Sequence, residues 1–135
     1  MTEAHQTLLH EMLEILERYA RTVKREELDA DRETWLKVKG ALEVAAQCVI
    51  DLALEILTRR ALGAPQSYRE AFAMLSRAGV IEPALAAELE KWAGLRNVLV
   101  HVYTSLDLDR VHQALSRTAA LRRFESLAAQ ELRRS

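Results

Sequence analysis

Apolar residues recur along this chain at intervals of three and four, the spacing that lines up one face of an α-helix. Leu8, Met12, Ile15 and Tyr19 form such a face in the first segment. Trp35, Val38, Leu42, Ala45, Val49, Leu52 and Ile56 form an unbroken one in the second. That stripe predicts a long helix packed in a bundle. It is expected to start at a cap on Asp29 or Asp31 and to end by Gly63. Ala64-Pro65-Gln66 then breaks the chain. Ser67-Tyr68-Arg69-Glu70 reads as a capping box, in which serine and glutamate satisfy each other's free backbone N–H groups. A short helix follows with Phe72 and Leu75 inward, and it stops at Gly79. Pro83 suits the first turn of the next helix, which is expected to run to about Tyr103. Asp107 caps a last helix that turns Val111, Leu115, Thr118, Leu121 and Phe124 inward. No repeat, low-complexity stretch or linker interrupts this pattern. The expectation is an all-α, up-and-down bundle of four long helices and one short one, in a single domain over residues 1–135.

Composition supports helices and narrows the setting. Ala, Leu, Glu and Arg, all good helix formers, dominate, and only two Pro and four Gly are present. Apolar residues make up 50% of the chain and charged ones 29%, enough of both for a folded core under a polar surface. The one cysteine, Cys48, rules out an internal disulfide and any multi-cysteine metal site. It fits a reducing, cytoplasmic location. No apolar run approaches the roughly 18 residues needed to span a bilayer. Met1-Thr2-Glu3-Ala4-His5 also lacks the basic start of a signal peptide, so no membrane association is expected.

The net charge of −1 conceals an asymmetry. Residues 1–95 hold 12 basic and 16 acidic side chains, whereas residues 96–135 hold 7 basic and 4 acidic. All seven are arginines, the residue suited to bidentate phosphate contacts. The plain alternative is a solvated helix face.

One stretch breaks the bundle pattern. Leu85, Leu89, Trp92 and Leu99 make an apolar stripe, and the positions in register with it include Arg96 and Tyr103. A guanidinium and a phenol stand where the stripe calls for apolar groups, and such local rule-breaking marks functional sites. Arg96 and Tyr103 differ in direction by only about 20° on an ideal helix, while His101 points about 140° from Arg96 and about 7.5 Å along the axis. Asn97 and His101, four apart, share another line. A two-fold dimer would bring these lines together better than one isolated helix. The structural alternative is an ion pair between Arg96 and Glu43 or Asp51, with His101 as a core histidine. Elsewhere, His5 and His10 read as surface residues whose five-residue spacing disfavours joint metal binding. His112 reads as solvent-facing, Cys48 as core, and Trp35 and Trp92 as core packing. No Gly-rich phosphate loop, Ser-His-Asp set or zinc spacing is present, and no metal or cofactor is expected.

Arg96-Asn97-Val98-Leu99-Val100-His101-Val102-Tyr103 resembles the characteristic strip of the HepT-like branch of the HEPN superfamily: Arg, a polar residue, three apolar residues, His, any residue, Tyr. Ala46-Gln47-Cys48-Val49-Ile50-Asp51-Leu52-Ala53 resembles that family's second-helix segment. Pro65-Gln66-Ser67-Tyr68-Arg69-Glu70-Ala71-Phe72, with Leu75 and Gly79-Val80-Ile81, resembles its loop and short helix. The likeness covers roughly residues 30 to 115. It implies a helical homodimer in which both strips line a shared basic cleft. It also implies an RNA-cleaving toxin paired with a nucleotidyltransferase antitoxin of the MNT type, which transfers AMP to the strip tyrosine. Carried onto this sequence, Arg96 and His101 would be catalytic, Asn97 supporting or phosphate-binding, and Tyr103 the AMPylation target.

The chemistry suits those roles. RNA carries its own nucleophile, the 2′-OH, so neither a metal nor a protein nucleophile is required. An imidazole, with an ordinary pKa of about 6.5, exchanges protons near neutrality. A guanidinium stabilises the extra charge of a phosphorane-like transition state. Two other readings compete with a ribonuclease. One is a non-catalytic HEPN module that binds a nucleotidyltransferase or a nucleotide. The other is a structural bundle whose strip is an ion-paired interface.

Overall fold

The 28-residue helix α3 (Arg32–Arg59) is the axis on which the fold is built. The computed structural model describes residues 2–101 and 107–134. These residues form α1 (Thr2–Thr22), α2 (Arg25–Ala30), α3, α4 (Tyr68–Arg77), α5 (Pro83–His101), α6 (Leu108–Ala114) and α7 (Ala119–Arg133). α3 touches α1, α2, α4, α5 and α7. It can do so because its apolar positions run round more than one face. All seven residues of the predicted stripe are buried, as are Ala41, Ala46, Cys48, Ile50, Ala53 and Leu57 beside it. Burial pushes the Cys48 thiol up to about 11, as expected of a core cysteine, and the neighbouring Asp51 adds to the effect.

Local signals set the ends of α3. Asp31 Oδ1 accepts from the Glu33 N–H at 3.1 Å, and Oδ2 accepts from the Thr34 hydroxyl at 2.8 Å. These bonds hold the Asp31 carboxyl below the usual range. At the other end the Leu62 N–H donates to Leu57 O at 2.9 Å and the Ala61 N–H to Thr58 O at 3.1 Å. This is a Schellman cap, which needs a left-handed residue. α4 ends in the same way, with the Val80 N–H on Leu75 O and the Gly79 N–H on Ser76 O. There the left-handed residue is a glycine, Gly79 (φ 79°), whereas α3 uses Ala61 (φ 55°). An L-residue in this region costs about 1–2 kcal/mol, partly offset by the smaller freedom of alanine in the unfolded chain. Ala61→Gly is therefore expected to stabilise the protein by about 0.5–1 kcal/mol, read as a rise of roughly 3 °C in thermal midpoint. A fall would show that the α3 cap is held otherwise.

Three of the four long helices expected from the pattern are α1, α3 and α5, and the fourth, expected from Asp107 onward, is divided. The short helices differ from the expectation, which held only one. α2 forms because the Lys24 N–H finds the Glu27 carboxylate at 2.8 Å and Leu28 is buried beneath it. The predicted last helix is split into α6 and α7. Leu115, Ser116 and Arg117 N–H groups each donate three residues back, tightening the turn. This frees the Arg117 carbonyl, which accepts the Trp92 indole N–H at 3.3 Å. The inward residues of that segment are buried as expected, and Asp107 caps α6 through the Asp109 and Arg110 N–H groups. The capping box of α4 is shifted: Ser67 Oγ accepts from Glu70 N–H, but the Glu70 carboxylate takes the Gln66 N–H.

α1 is turned by about one residue from the predicted face. Leu9, Leu13 and Leu16 are fully buried against the core, Met12, Ile15 and Tyr19 flank it, and Leu8 is exposed. His112 also departs from its solvent-facing assignment. It is half-buried, and its Nε2 donates to the Val23 carbonyl at 2.9 Å, tying α6 to the end of α1. His5 pairs with Asp51 at 3.2 Å, and His10 lies against Glu14 and Glu125. No helix among the described residues is long and apolar enough to cross a membrane.

Candidate active site

The strip occupies the last turns of α5. Leu99 is fully buried and anchors this segment against the core. That leaves Arg96 half-buried, with Asn97 and His101 exposed. Tyr103 lies outside the described residues.

The Arg96 guanidinium lies over the Tyr68 ring, with Cζ 5.4 Å from the ring centroid. Its Nη1 also donates to Asn97 Oδ1 at 3.2 Å. Neither partner carries charge. Among the described residues no carboxylate lies within ion-pair distance of Arg96. The carboxylates proposed for a structural pair are engaged elsewhere: Glu43 with Lys39, and Asp51 with His5 and Gln47. The arginine therefore keeps its full charge while its orientation is fixed by a ring face and an amide. Asn97 serves Arg96 in this arrangement and does not reach His101. His101 makes no hydrogen bond among the described residues. Its exposed ring stands at the C-terminal end of α5.

The arginine excess of the C-terminal segment is largely neutralised by tertiary contacts. Arg117 pairs with Glu88 at 2.7 Å, and Arg123 with Glu82 at 3.6 Å. Arg122 grips Glu17 through two bonds of 2.8 and 2.9 Å and also reaches Glu125. The bonds from Arg122 hold the Glu17 carboxyl below its usual range. Arg134 pairs with Glu131. A small cavity between α5 and α6 is lined by Lys91, Trp92, Arg110 and Arg117, but Lys91 and Arg117 both pair with Glu88. The charge asymmetry read from the sequence thus narrows to a few cations, Arg96 among them.

Two contributors to the site were not singled out from the sequence. Tyr68 and Arg69 open α4, which packs along α5. Tyr68 carries Arg96 on its ring, and the Arg69 side chain lies over Gly94 of α5. Their capping-box setting was legible, but nothing local indicated which helix they face. Among the described residues no group of three or more His, Cys, Asp or Glu side chains is placed to hold a metal ion.

Fold and strip together define a class, the all-α HEPN-type helical bundle. Residues 9–129 match the family described as Ribonuclease HepT-like, and the chain belongs to that family. It is 40% identical over 70 residues to the mRNA nuclease HepT of Shewanella oneidensis, a match covering 52% of this chain and 53% of that protein. The match thus spans about half the length of that relative. It is 30% identical over 122 residues to the tRNA nuclease HepT of Aphanizomenon flos-aquae, covering 86% of this chain and 83% of the relative. Among solved structures, the fold is similar to the tri-AMPylated Shewanella oneidensis HEPN toxin in complex with MNT antitoxin. That similarity has a TM-score of 0.83, 24% identity, and coverage of 93% of this chain and 94% of the other.

Proposed function

We propose that this chain is the toxin of a HEPN/MNT toxin–antitoxin pair, a metal-independent endoribonuclease acting in the cytoplasm as a homodimer of one domain per chain. The observation that carries this reading is the seating of Arg96, a fixed guanidinium without a carboxylate partner among the described residues, on the same helix end as the exposed His101. Two relatives named as mRNA and tRNA nucleases support it.

The reaction uses the 2′-OH of RNA as nucleophile. One imidazole takes the 2′-OH proton as the 2′-oxygen attacks phosphorus. Arg96 neutralises the charge gathering on the non-bridging oxygens. The P–O5′ bond breaks and the departing 5′-oxygen takes a proton from a second imidazole. The products are a 2′,3′-cyclic phosphate and a 5′-OH. His101 is a single residue per chain and exposed, so a two-fold cleft supplies both imidazoles, one as base and one as acid. Asn97 steers Arg96 and adds a donor toward a phosphate oxygen. The antitoxin, a nucleotidyltransferase, transfers AMP to Tyr103 and so places bulk and negative charge in the cleft. The AMPylated toxin among the similar structures supports that mode of control.

The test is cleavage of RNA by the purified protein in EDTA, followed by mass spectrometry of Tyr103 after co-expression with a cognate nucleotidyltransferase. Cleavage that persists in chelator and yields cyclic-phosphate ends is expected, as is a tyrosine heavier by one or more AMP groups. RNA binding with no cleavage under any condition would favour a non-catalytic binding module. An unmodified Tyr103 in a neutralised complex would remove the AMP-transfer step and leave the nuclease standing.

A further inference from the structure

A second arginine is built into the same seam between α4 and α5. Arg69 occupies the first turn of α4, where a cation opposes the helix dipole and gains nothing for the helix. Like Arg96, it has no carboxylate within ion-pair distance among the described residues. Its guanidinium is laid against Gly94, which is buried in the interior of α5. A methyl group on Gly94 would overlap Arg69 Nη2 and would stand 3.3 Å from Cζ and 3.5 Å from Nε. The Nη2 end of the guanidinium is therefore the part that comes nearest to the bare backbone of Gly94. Glycine is unfavourable relative to alanine inside a helix, so α5 gives up helix propensity at the one place where Arg69 needs room. Next to this, Tyr68 seats Arg96. Two consecutive residues of α4 therefore set two uncompensated guanidiniums along one stretch of α5, one above Gly94 and one from Arg96.

We propose that Arg69 binds a phosphate of the RNA next to the one being cleaved, and that Gly94 is the seat that holds it there. The proposal rests on the ribonuclease reading. Arg69 is exposed, so its donors on the side away from Gly94 are free for an anion, and the planar fork matches two phosphate oxygens at once. A contact to the sugar–phosphate backbone fixes the register of the strand without reading its sequence.

The test is binding of a short fluorescein-labelled single-stranded RNA of mixed sequence to the full-length His101→Ala protein, with salt as the variable. Adding Arg69→Gln is expected to weaken binding about tenfold at low salt and to lower the slope of log K against log salt by about 0.7, the loss of one phosphate contact on a single strand. A merely structural role would not change that slope. Gly94→Ala is expected to weaken binding in the same direction while the thermal midpoint holds or rises, because alanine favours the helix and the displaced group is the end of a flexible side chain. If Arg69→Gln binds with the parent's affinity and slope, the contact is refuted. If Gly94→Ala alone binds like the parent, the seat is refuted. If the parent binds no RNA and the wild type cuts none, the ribonuclease reading and this inference fall together.

Discussion

His101→Ala and Arg96→Ala are each expected to lower RNA cleavage by at least about a hundredfold while leaving the helical fold in place. The His101 figure comes from the ordinary yield of general acid–base catalysis, about 10²–10⁴. In the proposed two-fold cleft the substitution would remove base and acid together, which puts the expected loss at the upper end. The Arg96 figure follows from removing one preorganised charge from the transition state, about 10²–10³. Stability should separate the two variants only slightly. His101 is exposed and makes no hydrogen bond among the described residues, so its removal should cost under about 0.5 kcal/mol. Arg96 loses a half-buried contact on Tyr68, worth about 0.5–1 kcal/mol. Cleavage rates on a labelled RNA, with circular dichroism melts of the same preparations, check both statements. Wild-type cleavage in both variants would overturn the assignment of the strip. An Arg96→Ala protein that melts many degrees lower would mean that the arginine is structural.

Phe124→Ala should have the largest effect on stability. Phe124 is fully buried on α7 and meets Phe72 of α4 edge to face, with centroids 6.0 Å apart and planes at 83°. Truncating a buried phenylalanine costs about 3–5 kcal/mol in lost transfer energy and cavity, part of it the aromatic pair. Against a typical total of about 5–15 kcal/mol, that is at least about a fifth of the stability. Urea unfolding should show the midpoint falling with the m-value unchanged. Leu8→Ala is the matching control. Leu8 is 38% exposed, so its truncation should cost well under 1 kcal/mol, whereas Leu9→Ala, one residue on and fully buried, should cost about 2–5 kcal/mol. Equal losses at Leu8 and Leu9 would show that α1 is rotated from its placement here.

The Leu8 and Leu9 pair shows where the sequence was legible. In α1 the lines Leu8-Met12-Ile15-Tyr19 and Leu9-Leu13-Leu16 lie one residue apart, and both are apolar. Helical period alone cannot choose between neighbouring stripes of similar hydropathy. The choice is made by which one α3 and α7 can cover. In α3 no such choice arose, because adjoining stripes are both apolar and both buried. The caps at Ser67 and Asp107, and one at Asp29 or Asp31 that the structure places on Asp31, were readable because a cap is a bond between residues two or three apart. The break between α6 and α7 was not, because it depends on Trp92, 25 residues from the Arg117 carbonyl it binds.

The sequence by itself determined the helical class, the long core helix, the principal caps, and the presence of Arg96, Asn97, His101 and Tyr103 on one short strip. These are consequences of local spacing, which the backbone reads within a few residues. The tertiary structure decided which charges remain available. Arginines that look alike in the sequence are neutralised by acids up to 105 positions away, as Arg122 is by Glu17, while Arg96 is left on a tyrosine ring and Arg69 on a glycine. Ion pairing falls off within a few ångströms, so the identity of the uncompensated cations is a property of the packed helices and of no single segment of the chain.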